Sequence, residues 1–238
     1  MDLKRYAESQ DSHQLPVPLF LDIAIQLADA LDAIHHAQVI HKDLHPGNIV
    51  LNPDTGRVQI IDFGLASLLT REQPAIIEPD KLEGILSYIS PEQTGRMNRA
   101  IDYRSDIYTL GVTFYKLLTG DLPFEADDAL GIVYAHMATQ QQSASTKRPA
   151  LPAAISSIID KMMMKNAEDR YQSAFGLKHD LLHCQRSIVK DGTVNDFLLR
   201  LTMYLVAFAY LRPYVAEMKS LAFCLKALIK RNKVGPNY

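Results

Sequence analysis

The spacing of apolar side chains predicts one long amphipathic helix near the start of the chain. From residue 19 to about residue 37, apolar residues recur every three or four positions, the period that places side chains on one face of a helix. Residues 1–17 are mostly polar and are bounded by prolines. We expect a short helix at most in this first segment, followed by a break.

A β-hairpin is predicted directly after this helix. Two runs rich in β-branched residues, 49–52 and 58–61, are joined by the turn formers Pro53, Asp54, Thr55 and Gly56. Residues 65–104 show no sustained period and contain several prolines and glycines. They predict a long, mostly irregular segment, and segments of that length are usually functional.

The second half of the chain predicts helices. Between Ser105, which can cap a first turn, and Gly120, which can end a last turn, most residues are apolar. A helix that is apolar on all sides belongs in the core. Weaker helical patterns follow at about 126–138, 152–164 and 173–187. The elements together predict a mainly helical fold with one hairpin.

Composition narrows the class of protein. The chain has 238 residues, 47% of them hydrophobic, enough for one good-sized core or two small ones. A net charge of −2 gives no global basic field, so we expect no nucleic-acid partner. Cys184 and Cys224 have neither metal-ligand nor disulfide-framework spacing, and the first residues have no apolar signal region. These features predict a cytoplasmic protein.

The stretch HKDLHPGN at residues 41–48 concentrates polar groups just before the hairpin. An antiparallel hairpin brings the residue before its first strand beside the residue after its second, here Asn48 and Asp62. Asp43 lies on the same loop. Hard oxygen ligands, few in number, suit Mg²⁺ that is shared with the phosphates of a substrate. Asn48 could instead brace its turn and Asp62 could be an ordinary strand-end carboxylate, but their adjacency favours metal binding.

Three motifs in order make the chain resemble the protein kinases, and specifically their C-terminal lobe. HKDLHPGN resembles the catalytic loop H-R-D-L-x-x-x-N, DFG at 62–64 resembles the magnesium-binding triplet, and SPE at 90–92 resembles A-P-E. SDIYTLG and EDRYQSA resemble two further kinase segments. The resemblance covers roughly residues 18–186. It is closer still to the serine/threonine-kinase-like domain of bacterial hybrid signalling proteins.

The resemblance implies ATP and Mg²⁺ as cofactors and a protein hydroxyl as the phosphoryl acceptor. Asp43 would be the base, Asn48 and Asp62 the metal ligands, and Val50 a further nucleotide contact. His41 would pack under Phe63, Gly64 would let Asp62 move, Asp106 would brace the catalytic loop, and Arg170 would pair with Glu92. The implied structural supports are His41, Phe63, Gly64, Glu92, Asp106 and Arg170.

Other features depart from the family pattern. A five-stranded N-terminal lobe needs roughly 25–30 residues for its strands alone, and seventeen residues precede the first predicted core helix. The chain contains no G-x-G and no V-A-I-K-like strand. We therefore expect the N-terminal β lobe to be absent, residues 1–17 to be a remnant of the segment between lobes, and the chain alone to be a weak or inactive kinase. Without that lobe, the side of the C-terminal lobe that would face the nucleotide, around Phe63 and Val50, should be exposed.

Two residues that support the catalytic aspartate in the family differ here. In the resembled family these two residues are a lysine and a threonine, and here the same positions carry His45 and Ile85. A histidine is only partly charged near neutral pH and an isoleucine has no hydroxyl, so both supports should be weaker. We group His45 with Asp43 as the catalytic residues.

Alternative functions remain open. The first is a non-catalytic interaction module or gene remnant that binds a signalling partner. A small-molecule phosphotransferase is disfavoured, because SPEQ followed by SDIYTLG is a peptide-substrate feature of the resembled family.

Residues 187–238 form an atypical apolar and basic tail, which we expect to be helical. The tail could pack on the lobe, contact a membrane surface, or be a foreign end. The apolar run at 198–211 is too short to span a bilayer.

Overall fold

The computed structural model describes residues 1–69, 86–97, 99–191 and 194, and within them the fold is mainly helical. Its α-helices are α1 (Leu3–Glu8), α2 (Val17–His36), α3 (Tyr103–Thr119), α4 (Ala129–Ala138), α5 (Ala144–Lys147), α6 (Ala153–Met162) and α7 (Ala174–Asp191). Its strands are β1 (Val39–Ile40), β2 (Ile49–Asn52), β3 (Arg57–Ile60) and β4 (Ser67–Leu68).

Helix α2 confirms the predicted amphipathic helix. Pro18 lies in its first turn, where a missing N–H costs nothing, and its buried face includes Phe20, Leu27 and Leu31. This face packs against α7 and α3. Phe20 meets Phe114 of α3 edge to face, with ring centroids 5.1 Å apart. The interface of α2, α3 and α7 is therefore a central part of the core.

Helix α3 confirms the predicted core helix, but its start differs from the prediction. The N-cap is Asp102, whose carboxylate accepts a hydrogen bond from the Arg104 N–H at 2.8 Å. Ser105 was the wrong candidate because it lies inside the first turn, where its hydroxyl donates to Glu92 at 2.6 Å. Gly120 ends the helix as predicted, with φ of 80°, a conformation that favours glycine.

Strands β2 and β3 form the predicted antiparallel hairpin, with Ile49 opposite Ile60. Strand β3 lies one residue earlier than expected, so the residue directly opposite Asn48 is Ile61, whose N–H donates to the Asn48 carbonyl at 2.9 Å. Asp62 follows one position later. A second small sheet pairs β1 with β4, which the sequence patterns did not predict.

The first residues contact the hairpin directly. The short α1 agrees with the expectation for residues 1–17, and the Met1 amino group donates to the Leu51 carbonyl at 2.9 Å. Asp2 forms an isolated antiparallel bridge with Val50. The beginning of the chain therefore extends the edge of β2.

The remaining elements agree with the sequence patterns in outline. Helices α4, α6 and α7 lie where weaker helical patterns were predicted, and the four-residue α5 was missed. The described parts of 65–104 are short turns of 3-10 helix and irregular chain, apart from β4 and the start of α3. Ile85 and most of the tail, including 198–211, lie outside the described residues. None of the helices within the described part has the length and hydrophobicity that a bilayer crossing requires.

Candidate active site

The loop that carries Asp43 is held through its backbone by a buried carboxylate. Asp106, in the first turn of α3, accepts hydrogen bonds from the His41 N–H at 2.9 Å and the Lys42 N–H at 2.7 Å. His35 at the end of α2 donates to the same carboxylate at 2.9 Å. Asp106 has no solvent exposure. The core helix therefore fixes where the loop begins, which is the contact that the family resemblance implied.

Two non-glycine residues near the site adopt left-handed backbone conformations. Lys42 has φ of 70° and Asp62 has φ of 61°. Such residues cost free energy and persist where the surroundings over-determine the backbone, which is common at functional sites. Lys42 directly precedes Asp43, so its conformation sets the direction from which that side chain leaves the loop.

Asp43 is nearly buried, at 7% exposed, and one of its oxygens is left without a hydrogen bond from the described residues. Asn48 Nδ2 donates to Asp43 Oδ2 at 2.9 Å and to the Asp43 carbonyl at 3.0 Å. Oδ1 is buried and accepts no hydrogen bond within the described part of the chain. Burial raises the pKa of Asp43, against opposing effects of His45 and Asn48. A carboxylate with a raised pKa and a free acceptor oxygen suits proton abstraction.

His45 faces the free oxygen of Asp43. Its Nε2 lies 3.7 Å from Asp43 Oδ1, while its Nδ1 accepts a hydrogen bond from the Gly47 N–H at 3.0 Å. With Nδ1 as acceptor, the neutral ring carries its proton on Nε2, toward Asp43. A Cβ on Gly47 would lie 2.8 Å from the imidazole, so a larger residue would displace the ring. His45 therefore occupies a defined position beside Asp43.

The hairpin pairs Asn48 with Ile61 through the backbone, so Asp62 follows one residue after the position that the sequence predicted. Asp62 is exposed, and its Oδ1 accepts a hydrogen bond from the Gly64 N–H at 3.0 Å. Because Asn48 turns its amide nitrogen to Asp43, its Oδ1 is left as an acceptor. One amide oxygen and one carboxylate fit Mg²⁺ that also binds water and phosphate. Among the described residues there is no cluster of three or more His, Cys, Asp or Glu that could form a closed metal site.

An exposed apolar surface adjoins these residues. Phe63 is 49% exposed, and its ring contacts that of His41 with centroids 4.7 Å apart. His41 Nε2 donates to the Ile61 carbonyl at 3.2 Å, and Val50 is half-buried on β2. The large apolar side chains exposed in this stretch of the chain are Ile61, Phe63, Leu65 and Leu68.

Glu92 and Arg170 form a buried, two-pronged ion pair. Arg170 Nη1 and Nη2 donate to the two Glu92 oxygens at 2.7 and 2.9 Å. The other guanidinium donors bind carbonyl oxygens of Met164, Arg104 and Lys165. All five N–H groups of the arginine are thus satisfied. The pair fixes the 3-10 helix Pro91–Thr94, which lies against the catalytic loop.

Sequence reasoning missed two residues that contact the loop backbone. Gln93 Nε2 donates to the Lys42 carbonyl at 2.8 Å, and Thr113 Oγ1 donates to the Leu44 carbonyl at 2.6 Å. Thr113 is a polar residue within the apolar run 110–115, a signal that could have indicated a partner in the core. Gln93 gave no local signal beyond its position after the SPE motif.

Three features together define a protein-kinase-like lobe. They are a mainly helical fold with a β-hairpin, a loop that carries Asp43 and is held by the core helix α3, and the buried ion pair of Glu92 with Arg170. A sequence model of the protein kinase domain matches residues 2–182. The chain therefore belongs to the protein kinase family.

Several relatives are serine/threonine kinases by name. The chain is 35% identical to a probable serine/threonine-protein kinase, PknB, of Bifidobacterium longum, over 67% of this chain and 23% of that protein. It is 32% identical to the serine/threonine-protein kinase PksC of Streptomyces coelicolor, over 73% of this chain and 31% of that protein. It is also 29% identical to hybrid signal transduction histidine kinase G of Dictyostelium discoideum, over 75% of this chain and 7% of that protein. The chain spans less than a third of the length of each of these three relatives.

Proposed function

We propose that this lobe contributes the catalytic loop and metal ligands of a serine/threonine protein kinase, a transferase that moves the γ-phosphoryl group of ATP to a protein hydroxyl. The observation that carries the proposal is the state of Asp43. It is held in a fixed loop, it has a raised pKa, and one of its oxygens accepts no hydrogen bond from the described residues. A base for an incoming hydroxyl needs such an oxygen.

Each residue of the site has a role in this proposal. The Asp43 carboxylate accepts the proton of the substrate hydroxyl, and Asn48 holds Asp43 in place through its amide nitrogen. The Asn48 oxygen and the Asp62 carboxylate would hold the metal. When bound, Mg²⁺ neutralises the charge of the transferred phosphate. Val50 and the exposed Phe63 offer apolar contact to the nucleotide.

The strength of this activity depends on groups that these 238 residues do not include. They contain no G-x-G to cover the phosphates and no V-A-I-K-like strand to present a lysine. Phosphoryl transfer is catalysed almost entirely by positioning and electrostatic stabilisation. Each 1.36 kcal/mol of lost stabilisation lowers the rate about tenfold. We therefore expect transfer by this chain alone to be slow.

The cellular setting is part of the same proposal. We infer a cytoplasmic signalling role with a protein substrate, because the relatives are protein kinases by name and the two distant cysteines suit a reducing compartment. The similarity to a hybrid signal transduction histidine kinase of Dictyostelium discoideum also supports a place within a hybrid signalling protein.

The metal role can be tested by calorimetry with Mg²⁺ and ATP on the purified chain. Asp62→Asn should abolish the binding heat that depends on Mg²⁺. Asp54→Asn is the matched control, because Asp54 is also an exposed carboxylate of the hairpin region but lies in the turn between β2 and β3. Binding heat that Asp62→Asn leaves unchanged would remove the proposed metal role.

The base role is tested by phosphate transfer from labelled ATP to a generic protein substrate. We expect slow transfer by the wild type and none by Asp43→Asn. Equal transfer by both proteins would refute the role of Asp43. Nucleotide binding without any transfer by the wild type would instead support the non-catalytic interaction module.

A further inference from the structure

The backbone of the catalytic loop is held from outside by side chains that come from different parts of the chain. Asp106 binds the N–H groups of His41 and Lys42, and Thr113 binds the Leu44 carbonyl. Both belong to the core helix α3. Gln93 binds the Lys42 carbonyl and belongs to the 3-10 helix Pro91–Thr94.

Gln93 uses both ends of its side chain. Its Nε2 donates to the Lys42 carbonyl at 2.8 Å, and its Oε1 accepts a hydrogen bond from the Ser90 N–H at 3.1 Å. The residue is only 6% exposed. It directly follows Glu92, which the buried Arg170 fixes in position. The carboxamide therefore connects a rigid part of the lobe to the catalytic loop across 51 positions of sequence.

The bond to Lys42 matters because of the backbone at that residue. Lys42 has φ of 70°, which an L-residue rarely adopts, and its carbonyl belongs to the peptide group that leads into Asp43. Asp106 fixes the N–H side of this residue and Gln93 fixes its carbonyl side. The N–H of the same peptide group donates to His41 Nδ1 at 3.3 Å, so without the bond to Gln93 the group keeps only this longer hydrogen bond among the described residues and can rotate toward a relaxed conformation. Such a rotation would turn Asp43 away from its position beside Asn48.

We propose that Gln93 is a positioning residue for Asp43, which it aims by holding the Lys42 carbonyl. This inference rests on the proposed role of Asp43 as the base. It also implies that the 3-10 helix Pro91–Thr94 and the base move as one unit. A shift of that helix would change the aim of Asp43 as well as the surface beside it.

The test compares two substitutions of Gln93 with a matched control. Gln93→Met keeps the length of the side chain and removes both hydrogen bonds. Gln93→Glu keeps an acceptor for Ser90 but has no amide donor for the Lys42 carbonyl. Gln14→Met is the control, because Gln14 is a half-buried glutamine that donates to the Thr119 carbonyl at 3.0 Å, away from the loop.

The first measurement is hydrogen exchange of a peptide covering residues 39–48, relative to a peptide from α2. We expect exchange in the loop to be about fivefold faster in both Gln93 variants, as the loss of one hydrogen bond predicts, while the α2 peptide is unchanged. Unchanged exchange in the loop would overturn the proposal. So would an equal increase in both peptides, which would show a general loss of stability. Gln14→Met should leave the loop unaffected.

The second measurement is steady-state phosphate transfer. If Asp43 is wrongly oriented in the Gln93 variants, kcat should fall about tenfold or more. The KM for ATP should stay within about twofold of the wild-type value, since the nucleotide contacts are unchanged. A rise in KM alone would contradict a positioning role. If the wild type transfers no phosphate, the proposed function of the chain fails, while the exchange measurement still decides whether Gln93 holds the loop. If the wild type transfers phosphate and loop exchange is unchanged, this inference alone is refuted.

Discussion

Replacing Arg170 should cause one of the largest losses of stability that a single substitution can cause in this lobe. The guanidinium has no solvent exposure, and its five N–H groups donate to the two Glu92 oxygens and to three carbonyl oxygens. Arg170→Met would leave Glu92 as a buried charge. Its remaining partner among the described side chains would be the Ser105 hydroxyl.

The size of the loss follows from these contacts. Removing one member of a buried ion pair costs about 3–5 kcal/mol, because the other charge stays desolvated. The three carbonyls lose hydrogen bonds worth about 1 kcal/mol each. A loss of about 5 kcal/mol or more is a large part of the roughly 5–15 kcal/mol that holds a typical domain folded. Arg170→Lys should cost less, about 2–3 kcal/mol, because it keeps the charge but not the planar fork.

Urea unfolding followed by far-UV circular dichroism measures these differences, and the chain has no tryptophan to follow by fluorescence. The double variant of Glu92→Gln with Arg170→Met should lose about 2–3 kcal/mol less than the sum of the two single losses, since it leaves no isolated charge. Arg57→Met on the exposed face of β3 is a matched control and should change stability by about 0.5 kcal/mol at most. A loss below about 1 kcal/mol for Arg170→Met, or strict additivity in the double variant, would refute this reasoning.

Three further predictions concern pH and backbone conformation. Burial raises the pKa of Asp43, so its ionisation costs stability above its ordinary pKa. Asp43→Asn should therefore unfold at a higher urea concentration than the wild type at pH 7, by a margin that shrinks as the pH falls toward 4; a lower midpoint at pH 7 would contradict this. Burial lowers the pKa of His136 from 6.5 to about 3, so the unfolded chain takes up a proton in that interval that the folded chain does not. As the pH falls through this interval, the group should lower the free energy of unfolding by up to about 1.4 kcal/mol per pH unit. In His136→Gln the urea midpoint should therefore change less with pH than in the wild type. Gly120→Ala should cost about 1–2 kcal/mol in urea unfolding, because φ is 80° and the added Cβ would lie 3.0 Å from the Ser12 carbonyl; Gly56→Ala, with φ of 66° and open space, should cost less, and equal costs would contradict the steric argument.

Elements whose signals are local could be predicted from sequence to within a few residues. The hairpin has turn formers between two β-branched runs, and the observed β3 differs from the predicted strand by one residue. The start of α3 shows where local signals are ambiguous. Asp102 and Ser105 are both good caps, and the choice depends on Glu92, which binds the Ser105 hydroxyl from another segment.

The contacts of the candidate site also fall into those that the local sequence indicates and those that it does not. Asp43 and Asn48 are five residues apart in one motif, so their hydrogen bond was within reach of sequence reasoning. The bond from Gln93 to Lys42 spans 51 positions and ends on a backbone carbonyl, which every residue has. A contact of this kind has no side-chain signature on the acceptor side. It becomes visible only when the three-dimensional structure is known.

The pairing of α2 with α7 has a consequence for how the chain folds during synthesis. These helices are the first and last long helices of the described chain, and they are tied together by Lys178 with Asp29 and by Gln185 with Asp22. At roughly 5–20 residues per second, a ribosome needs about 7–27 s to make the intervening residues. Throughout that time the apolar stripe of α2 lacks α7, the helix against which much of it packs. This pairing of distant helices leaves a long interval in which chaperones can bind the nascent lobe.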